Sequence, residues 1–519
     1  MTIHEHDGKG LLARNSLFNL AGQILPLLVG VVTIPYIVKG LGTVGFGILS
    51  ITWMVLGYFS MFDLGLSRAT TKFVAAHLSP DKIDRVPALI WTSLALQLGL
   101  GFAGGLLVAP FVPFAVTRLF TMPTAFVADA RTSLLLLCAS IPVLLGSNAL
   151  RGVLEAAQRF DLVNYVKVPA SITFYLLAAL AIPFGVGVSG IVLLSVLSRV
   201  IAAGAYLALC YRVFPQLRMN SFSISREVIR PLVTFGGWVM ITNAAGPVFI
   251  YLERFMIATL LPVSMLSFYS APFELVSRVI IFPASIAPAL FPYFSYHGGR
   301  PGTVVSDVAS RSVKFLLLVM TPITAVFVFF ARDVLQFWLG PQFASQSTEV
   351  LQILAIAFFL NGLSIVPFTS VQALGRPDLK ALLDLFLLPT YALCCWVLMR
   401  RMGINGAALA KLFITILDTT FLFAFAWRMK SFSVRDCISG PLSRALLASG
   451  GLLFVVFVIG SFHSRVALSV MCLTACFLCY IATCWFVALD DADKITMRGL
   501  SRQLSPRSKG LSLDTSLLK

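Results

Sequence analysis

The chain has 519 residues, of which 58% are hydrophobic and only 12% are charged, whereas an ordinary soluble domain carries about 25% charged residues. This composition excludes a soluble globular fold of this length. The net charge of +17 does not indicate nucleic-acid binding, because the basic residues are spread over many loops and are better explained by membrane topology.

Apolar stretches that reach the roughly 20 residues needed for a membrane helix recur along almost the whole chain. They run without polar alternation, for example at 134–145 and 452–459, which favours helices over barrel strands. The sequence therefore predicts an all-α polytopic membrane protein with about fourteen transmembrane helices. In chain order the predicted spans are 15–38, 44–66, 87–110, 132–154, 164–185, 188–211, 230–257, 265–294, 312–331, 347–371, 378–400, 404–427, 442–462 and 466–488.

The distribution of Lys and Arg predicts the orientation of these spans. An even number of spans places both termini on one side of the membrane, and most basic residues lie in the loops on that side. Cytoplasmic loops carry such an excess, so both termini are expected in the cytoplasm. The basic loops at 212–229 and 295–311 and the basic tail at 489–519 also suit contact with anionic membrane lipid.

An internal repeat relates spans 1–6 to spans 7–12. Short sequence landmarks recur in the same order at nearly constant spacing: 158–161 matches 375–378, 187–190 matches 403–406, and Pro26 matches Pro247. Transporters are often built from two such halves, with the substrate site between them. The predicted organisation is an N-terminal six-helix lobe at 1–211, a cytoplasmic linker at 212–229, a C-terminal six-helix lobe at 230–427, two additional transmembrane helices at 442–488 and a cytoplasmic tail at 489–519.

Several of these segments resemble the polysaccharide exporter family. The stretch LGTVGFGILS at 41–50 is followed by Trp53, Tyr58 and DLGLSRA at 63–69, and the likeness continues to FYSAP at 268–272. The family is the O-antigen flippase-like branch of a superfamily that also contains multidrug-and-toxin exporters and lipid II flippases. The likeness covers roughly residues 10–430, and the two helices beyond it depart from the family's commonest pattern of about twelve spans.

The resemblance implies a V-shaped pair of six-helix lobes that transports by alternating access. The implied cargo is an undecaprenyl-diphosphate-linked oligosaccharide, moved from the cytoplasmic to the periplasmic leaflet of the bacterial inner membrane for lipopolysaccharide or exopolysaccharide biosynthesis. Other membrane proteins of polysaccharide assembly are expected as further partners. Because lipid II flippases also have two additional helices, the particular cargo is left open.

Ionisable residues inside the predicted spans mark the candidate site, since each costs about 2.5–3.5 kcal/mol at a helix centre. A diphosphate needs compensating positive charge in the membrane, and the planar fork of Arg binds phosphate oxygens in pairs. We therefore expect Arg254, Arg278 and Arg68 to contact the diphosphate. Possible sites for a coupling proton or cation are Asp63, Glu274 and Asp418.

Each of these residues also has a structural interpretation. Glu274 and Arg278 are four residues apart, so they can neutralise each other along one helix face. Arg68 can extend to the inner interface, and Arg199 and Lys411 are expected to form ion pairs within their lobes. Prolines predicted to act as hinges for alternating access, which can equally be static kinks, are Pro26, Pro35, Pro247 and Pro283.

Two other functions are alternatives to the flippase. A multidrug-and-toxin-type exporter of the same fold would need an apolar aromatic pocket rather than several arginines. A membrane-embedded glycan polymerase would need an acid–base group, but the five histidines lie in the tail or at loop edges. No GxxxxGK[ST] motif is present and the nine cysteines lie mostly in apolar segments, so we expect no catalytic residue, metal or cofactor.

Overall fold

In the computed structural model, described over residues 4–78, 83–219, 229–234, 245–297, 304–432, 441–461 and 466–490, nearly every residue is helical. The longer helices are α1 (His4–Phe59), α2 (Leu66–Ala76), α3 (Val86–Val108), α4 (Val127–Ala156), α5 (Phe160–Ala181), α6 (Val188–Val213), α7 (Ala245–Leu260), α8 (Val263–Ser277), α9 (Ile281–His297), α10 (Val304–Phe329), α11 (Ala331–Leu339), α12 (Pro341–Ala373), α13 (Pro377–Arg428), α14 (Pro441–Ser461) and α15 (Val466–Thr483). These ranges contain no strand, so the predicted all-α class is confirmed.

Short helical turns connect several of these helices. They include 3₁₀ turns at Ser60–Asp63, Ile83–Arg85, Ala109–Phe111, Thr124–Phe126, Ile182–Phe184 and Arg278–Ile280, α-helical turns at Val112–Phe114 and Gln216–Met219, and π segments at Ala115–Leu119 and Cys484–Ala488. Half of the predicted linker at 212–229, namely 220–228, falls outside the described residues, as does nearly all of the predicted tail at 489–519.

Ten helical segments of the described chain are long and apolar enough to cross a membrane. Two of them, Leu25–Phe59 and Pro377–Arg428, contain a glycine with non-helical backbone angles, Gly42 (φ 68°, ψ 175°) and Gly403 (φ 57°, ψ −134°). A straight helix of 52 residues would be about 80 Å long, whereas the hydrocarbon core is about 30 Å thick. Each segment is interrupted at its glycine, where a positive φ carries no Cβ penalty, and this supports the predicted turn between two spans at that position. The total of about fourteen spans stays a prediction.

Large apolar side chains cover much of the protein surface. Phe337 is 96% exposed, Phe184 84% and Leu447 77%, and many Leu, Ile and Val side chains behave in the same way. Soluble monomers rarely expose so many large apolar side chains. Together with the ten apolar segments, this exposure establishes a multi-pass membrane protein whose outer surface faces lipid.

The helices form two compact units. The first comprises Met1–Ile281, Ala331–Ala357 and Ala381–Ile416, and within it α1 packs against α5, α7 and α8, while α4 packs against α3 and α6. The second comprises Phe282–Phe330, Phe358–Lys380 and Leu417–Lys519, and within it α14 packs against α10 and α15. These units differ from the two predicted lobes, whose boundaries stay a prediction.

The landmark that begins α5 and the one that begins α13 have the same local structure. Arg159 pairs with Asp161 at 2.9 Å, and Arg376 pairs with Asp378 at 3.0 Å. The residue before each arginine has a positive φ, 57° in the first case and 81° in the second. The match supports the predicted internal repeat, which stays a prediction for the rest of the two halves.

Within the first unit, α1 comes unusually close to α7 and α8 at two glycines. A Cβ atom at Gly47 would overlap the carbonyl oxygen of Val263, and one at Gly57 would overlap the ring of Tyr251. The hydroxyl of Ser267 also donates to the carbonyl oxygen of Thr43. Small residues therefore allow a helix of the predicted N-terminal lobe to contact helices of the predicted C-terminal lobe directly.

We expect Gly47→Leu to destabilise the protein by about 1–3 kcal/mol, because the new side chain would have to displace backbone rather than a flexible neighbour. Thermal unfolding of the purified protein in detergent micelles measures the effect as a lower melting temperature. The matched control is Gly99→Leu, because a Cβ at Gly99 meets no atom within 4 Å. Equal melting temperatures for the two variants would contradict the assigned close contact.

In the second unit, the buried Lys314 of α10 forms an ion pair with Asp490, at the end of the last described segment. The side chain of Lys314 is fully buried, and its Nζ lies 3.6 Å from Oδ2 of Asp490. Asp490 also pairs with Arg444 of α14 at 3.0 Å, and the hydroxyl of Tyr480 donates to the carbonyl oxygen of Leu318 at 3.0 Å. Polar contacts thus fasten the two additional C-terminal helices to α10, within the same unit.

Candidate functional site: a cationic cluster on α7 and α8

The candidate site is formed by two consecutive helices of the first unit. Arg254 lies in the second half of α7, and Glu274 lies in the last turn of α8. Arg278 is the first residue of the 3₁₀ turn that follows α8. Because Glu274 and Arg278 are four residues apart in nearly continuous helix, both side chains project from the same face.

One carboxylate holds both arginines. Nη2 of Arg254 lies 3.2 Å from Oε1 of Glu274, and Nη2 of Arg278 lies 2.8 Å from Oε2. The sequence predicted the second pair from its spacing, and the structure confirms that pair. It did not predict the first, which joins residues twenty positions apart. Two positive charges and one negative charge leave the cluster with a net positive charge.

Arg254 is almost completely buried, with 2% of its surface exposed. Its guanidinium carbon lies 3.9 Å from the ring centroid of Phe273 and 5.8 Å from that of Tyr251. Stacking of this kind stabilises a desolvated cation by about 2 kcal/mol or more. The Nε atom of Arg254 is buried and has no hydrogen-bond partner among the described residues. The side chain is therefore fixed in place and retains an unused donor.

Arg278 is more accessible and connects the cluster to α5. Its side chain is one-third exposed, and Nη2 donates to the hydroxyl of Tyr175 at 2.8 Å. The Tyr175 ring packs against Phe174 and Trp53, with centroid distances of 5.4 and 5.9 Å. Tyr175 was not predicted as a site residue. Tyr175 is uncharged and belongs to no recognisable motif, and it lies 103 positions from Arg278 in the chain.

A second buried cluster begins at the residue before Arg254, whose side chain leaves α7 about 100° away from that of Arg254. Glu253 is completely buried, and Oε2 accepts a hydrogen bond from the hydroxyl of Tyr391 at 2.5 Å. Nζ of Lys411 lies 3.6 Å from Oε1 and donates to the carbonyl oxygen of Phe249 at 2.8 Å. Lys411 therefore forms an ion pair, as expected. The consecutive residues Glu253 and Arg254 of α7 are oppositely charged and form ion pairs with different residues, Lys411 and Glu274.

Of the other predicted charges, Asp63 and Asp418 have local partners. Asp63 accepts hydrogen bonds from the backbone N–H and the hydroxyl of Ser67, at 3.3 and 2.5 Å, and so caps the first turn of α2. Asp418 belongs to the second unit, where Lys380 donates to it at 2.7 Å. Arg68 is exposed on α2, and the described residues show no contact from it to Arg254 or Arg278.

The expected ion pair of Arg199 is not found in the described part of the chain. Its guanidinium carbon lies 5.9 Å from the ring centroid of Phe174, and its buried Nε has no partner there. The expectation was wrong because the charge of Arg199 is directed towards an aromatic ring rather than towards an acid.

The predicted hinge prolines differ in their positions. Pro26 and Pro35 lie within α1, while Pro247 is the third residue of α7. Pro283 is the third residue of α9, directly after the 3₁₀ turn Arg278–Ile280, and it cannot donate to the carbonyl of Val279. A 3₁₀ turn followed by a proline interrupts a long helix at one place. Their role as hinges stays a prediction.

The described residues contain no group of three or more His, Cys, Asp or Glu side chains placed to hold a metal ion. The cluster of Arg254, Glu274 and Arg278 instead contains two guanidinium groups, which bind anions that have oxygen acceptors.

The fold is similar to those of two solved membrane proteins, a lipid II flippase and a multidrug exporter. It matches the structure of the lipid II flippase MurJ in an inward closed conformation with a TM-score of 0.71 and 13% identity, covering 94% of this chain and 100% of MurJ. It also matches an inward-facing multidrug resistance MATE family transporter with a TM-score of 0.61 and 15% identity, covering 81% of this chain and 96% of that one.

Sequence comparison identifies the family. Residues 12–297 match the model of the family described as polysaccharide biosynthesis protein. The chain belongs to this family, and the resemblance inferred from its sequence segments is confirmed. It is 27% identical over 429 residues to a Shigella flexneri protein assigned as an O-antigen transporter, covering 81% of this chain and 99% of that protein.

Proposed function

We propose that this protein is an alternating-access flippase that moves an undecaprenyl-diphosphate-linked oligosaccharide across the bacterial inner membrane. Transport runs from the cytoplasmic to the periplasmic leaflet and supplies surface polysaccharide biosynthesis. The observation that carries the proposal is the net positive cluster of Arg254, Glu274 and Arg278 on apolar helices. The polysaccharide biosynthesis family and the relative assigned as an O-antigen transporter support a glycan cargo.

Electrostatics explains why such a cargo needs such a cluster. A diphosphate diester carries about two negative charges, and each is costly in a medium of low dielectric constant. Arg254 and Arg278 offer fixed guanidinium groups, which bind phosphate oxygens in a two-pronged geometry. The buried Nε of Arg254 adds a donor that no described residue uses. The cluster therefore compensates the charged part of the cargo, while the sugars need only polar surroundings.

Two other functions are less well supported. A multidrug exporter shares this fold, but cationic drugs would be repelled by the positive cluster. A membrane-embedded glycan polymerase would require an acid–base group at the site, and the cluster contains only guanidinium groups and a carboxylate that is bound to both of them. The proposed function is therefore that of a transporter and not of an enzyme.

Transport in reconstituted vesicles tests this function. We expect the purified protein to move an undecaprenyl-diphosphate-linked oligosaccharide between leaflets, measured as the fraction of sugar accessible to an added glycosidase. The control cargo is the same oligosaccharide on undecaprenol without phosphate, which should not move. Movement of both cargoes at equal rates, or efflux of a cationic dye in place of the glycan, would refute the proposal.

The proposed orientation predicts the results of reporter fusions. Reporters placed after Tyr211, Ser295 and Met429 should lie in the cytoplasm, because the adjoining loops are rich in Lys and Arg. Reporters placed after Gly42, Phe120 and Gly340 should lie in the periplasm. Paired alkaline phosphatase and fluorescent protein fusions distinguish the two sides, and inversion at two of these positions would disprove the orientation.

A further inference from the structure

The two arginines assigned to the diphosphate already hold an anion that belongs to the protein. Oε1 of Glu274 accepts from Arg254 at 3.2 Å, and Oε2 accepts from Arg278 at 2.8 Å. Two oxygens on one atom, each held by a guanidinium, is also how a phosphate group is bound by a pair of arginines. The carboxylate thus occupies positions that phosphate oxygens would take.

We propose that Glu274 is a built-in competing anion that occupies the site of Arg254 and Arg278 when no cargo is bound and is displaced when the diphosphate enters. This inference rests on the proposed function. It assigns Glu274 a positioning and specificity role: Glu274 sets how tightly the site holds its cargo.

The cost of unpaired charge explains why an empty site needs such a residue. Two guanidinium groups close together and largely removed from water repel each other, and a buried charge that loses its partner is strongly destabilising. Glu274 removes this cost whenever the cargo is absent. Once the diphosphate supplies the negative charge, the carboxylate is no longer required between the two arginines.

The pattern of burial shows which partner is fixed and which can leave. The side chain of Arg254 is 3% exposed and is stacked on Phe273, whereas that of Glu274 is 15% exposed and that of Arg278 is 33% exposed. Arg254 is therefore the most firmly held member of the cluster, and Glu274 lies between it and the more accessible Arg278.

The unused donor of Arg254 independently indicates a ligand whose acceptors reach a nitrogen that Glu274 does not contact. Nε of Arg254 is buried within a residue that is 2% exposed, and it has no partner in the described chain. Glu274 accepts from the Nη2 atoms of the two arginines and makes no hydrogen bond to this Nε. A diphosphate has more oxygens to offer, so it can satisfy the donor that Glu274 leaves free.

Competition by Glu274 also explains how a strongly cationic site can release its cargo. Differences in affinity between related complexes lie mostly in the dissociation rate. Without a competing anion, the diphosphate would dissociate slowly and limit turnover. With it, the carboxylate replaces the departing phosphate and the arginines remain paired throughout the cycle.

The decisive variant is Glu274→Gln, because the amide keeps the size of the side chain but carries no charge. We expect it to bind undecaprenyl diphosphate roughly tenfold more tightly than the wild type, the factor associated with one charge-assisted hydrogen bond. Its rate of transport at saturating cargo should fall. Calorimetric titration in detergent micelles measures the dissociation constant, and the vesicle assay measures turnover.

Tighter binding combined with slower turnover is a result that a merely structural ion pair would not produce, since loss of a structural contact weakens binding or lowers abundance. The matched control is Asp378→Asn, which removes a carboxylate from the exposed pair with Arg376 and should change neither quantity. Unchanged or weaker binding by Glu274→Gln would overturn the inference.

Two further variants separate this inference from the proposed function. If Arg254→Ala loses binding while Glu274→Gln binds like the wild type, the diphosphate site stands and the competing role of Glu274 is wrong. If Arg254→Ala binds undecaprenyl diphosphate normally, the proposed site itself is wrong. Should Glu274→Gln fail to fold, Glu274→Asp replaces it: the shorter carboxylate cannot reach both arginines, so binding should tighten, and unchanged binding would overturn the inference.

Discussion

Replacing Arg254 by Ala is expected to lower export of the lipid-linked glycan on the order of 100-fold, the combined effect of losing two charge-assisted hydrogen bonds to the diphosphate. The protein should remain in the membrane at normal abundance, because Glu274 keeps its 2.8 Å ion pair with Arg278. Complementation of surface glycan in a deletion strain, with membrane abundance measured in parallel, tests both parts.

Two matched variants show whether the loss is specific to the cluster. Arg254→Lys should restore only part of the export, because Lys keeps the charge but loses the planar fork and its 3.9 Å stack on Phe273. Arg400 also stacks on an aromatic ring, that of Trp396 at 4.2 Å, but it is exposed and outside the cluster. Arg400→Ala should therefore export normally. Full export by Arg254→Ala would remove that residue from the proposed site.

Replacing Lys411 by Met is expected to cost about 3–5 kcal/mol of stability, because it leaves the charge of Glu253 buried without a cation. The carboxylate is completely buried, and its remaining hydrogen bond from Tyr391 cannot neutralise it. The expected measurements are a strongly reduced membrane abundance and a lower melting temperature of the purified protein.

Removing both charges together should rescue most of this loss. The double variant Glu253→Gln with Lys411→Met leaves no unpaired charge, and buried ion pairs are often replaceable by neutral groups at little cost. The contrasting control is Arg376→Ala, which breaks an exposed, solvent-screened pair with Asp378 and should leave abundance and melting temperature unchanged. If the double variant is as unstable as Lys411→Met, the unpaired charge of Glu253 is not the cause of the lost stability.

Much of this fold could be predicted from the sequence because apolar length alone determines where membrane helices form. The breaks at Gly42 and Gly403 coincide with predicted turns between spans, and the pair of Glu274 with Arg278 follows from a spacing of four residues. Such relations are local, so the sequence contains them directly.

The contacts that could not be predicted join residues far apart in the chain. Arg278 meets Tyr175 across 103 positions, and Glu253 meets Tyr391 across 138. Nothing in a single sequence states which helices become neighbours, although the cost of a buried charge correctly indicates that a partner must exist. The same limit explains the error at Arg199, whose neighbour proved to be a ring.

The 3₁₀ turn at Arg278–Ile280 has a geometric consequence for the helix that contains it. An α-helix advances about 100° and 1.5 Å per residue, whereas a 3₁₀-helix advances about 120° and 2.0 Å. Winding these three residues into α geometry would rotate Ile281, the first residue of α9, by about 60° about the helix axis relative to Glu274 and draw it about 1.5 Å closer. Arg278 is the first residue of this turn. The direction in which the first side chains of α9 project therefore depends on the backbone conformation at a charged residue of the cluster.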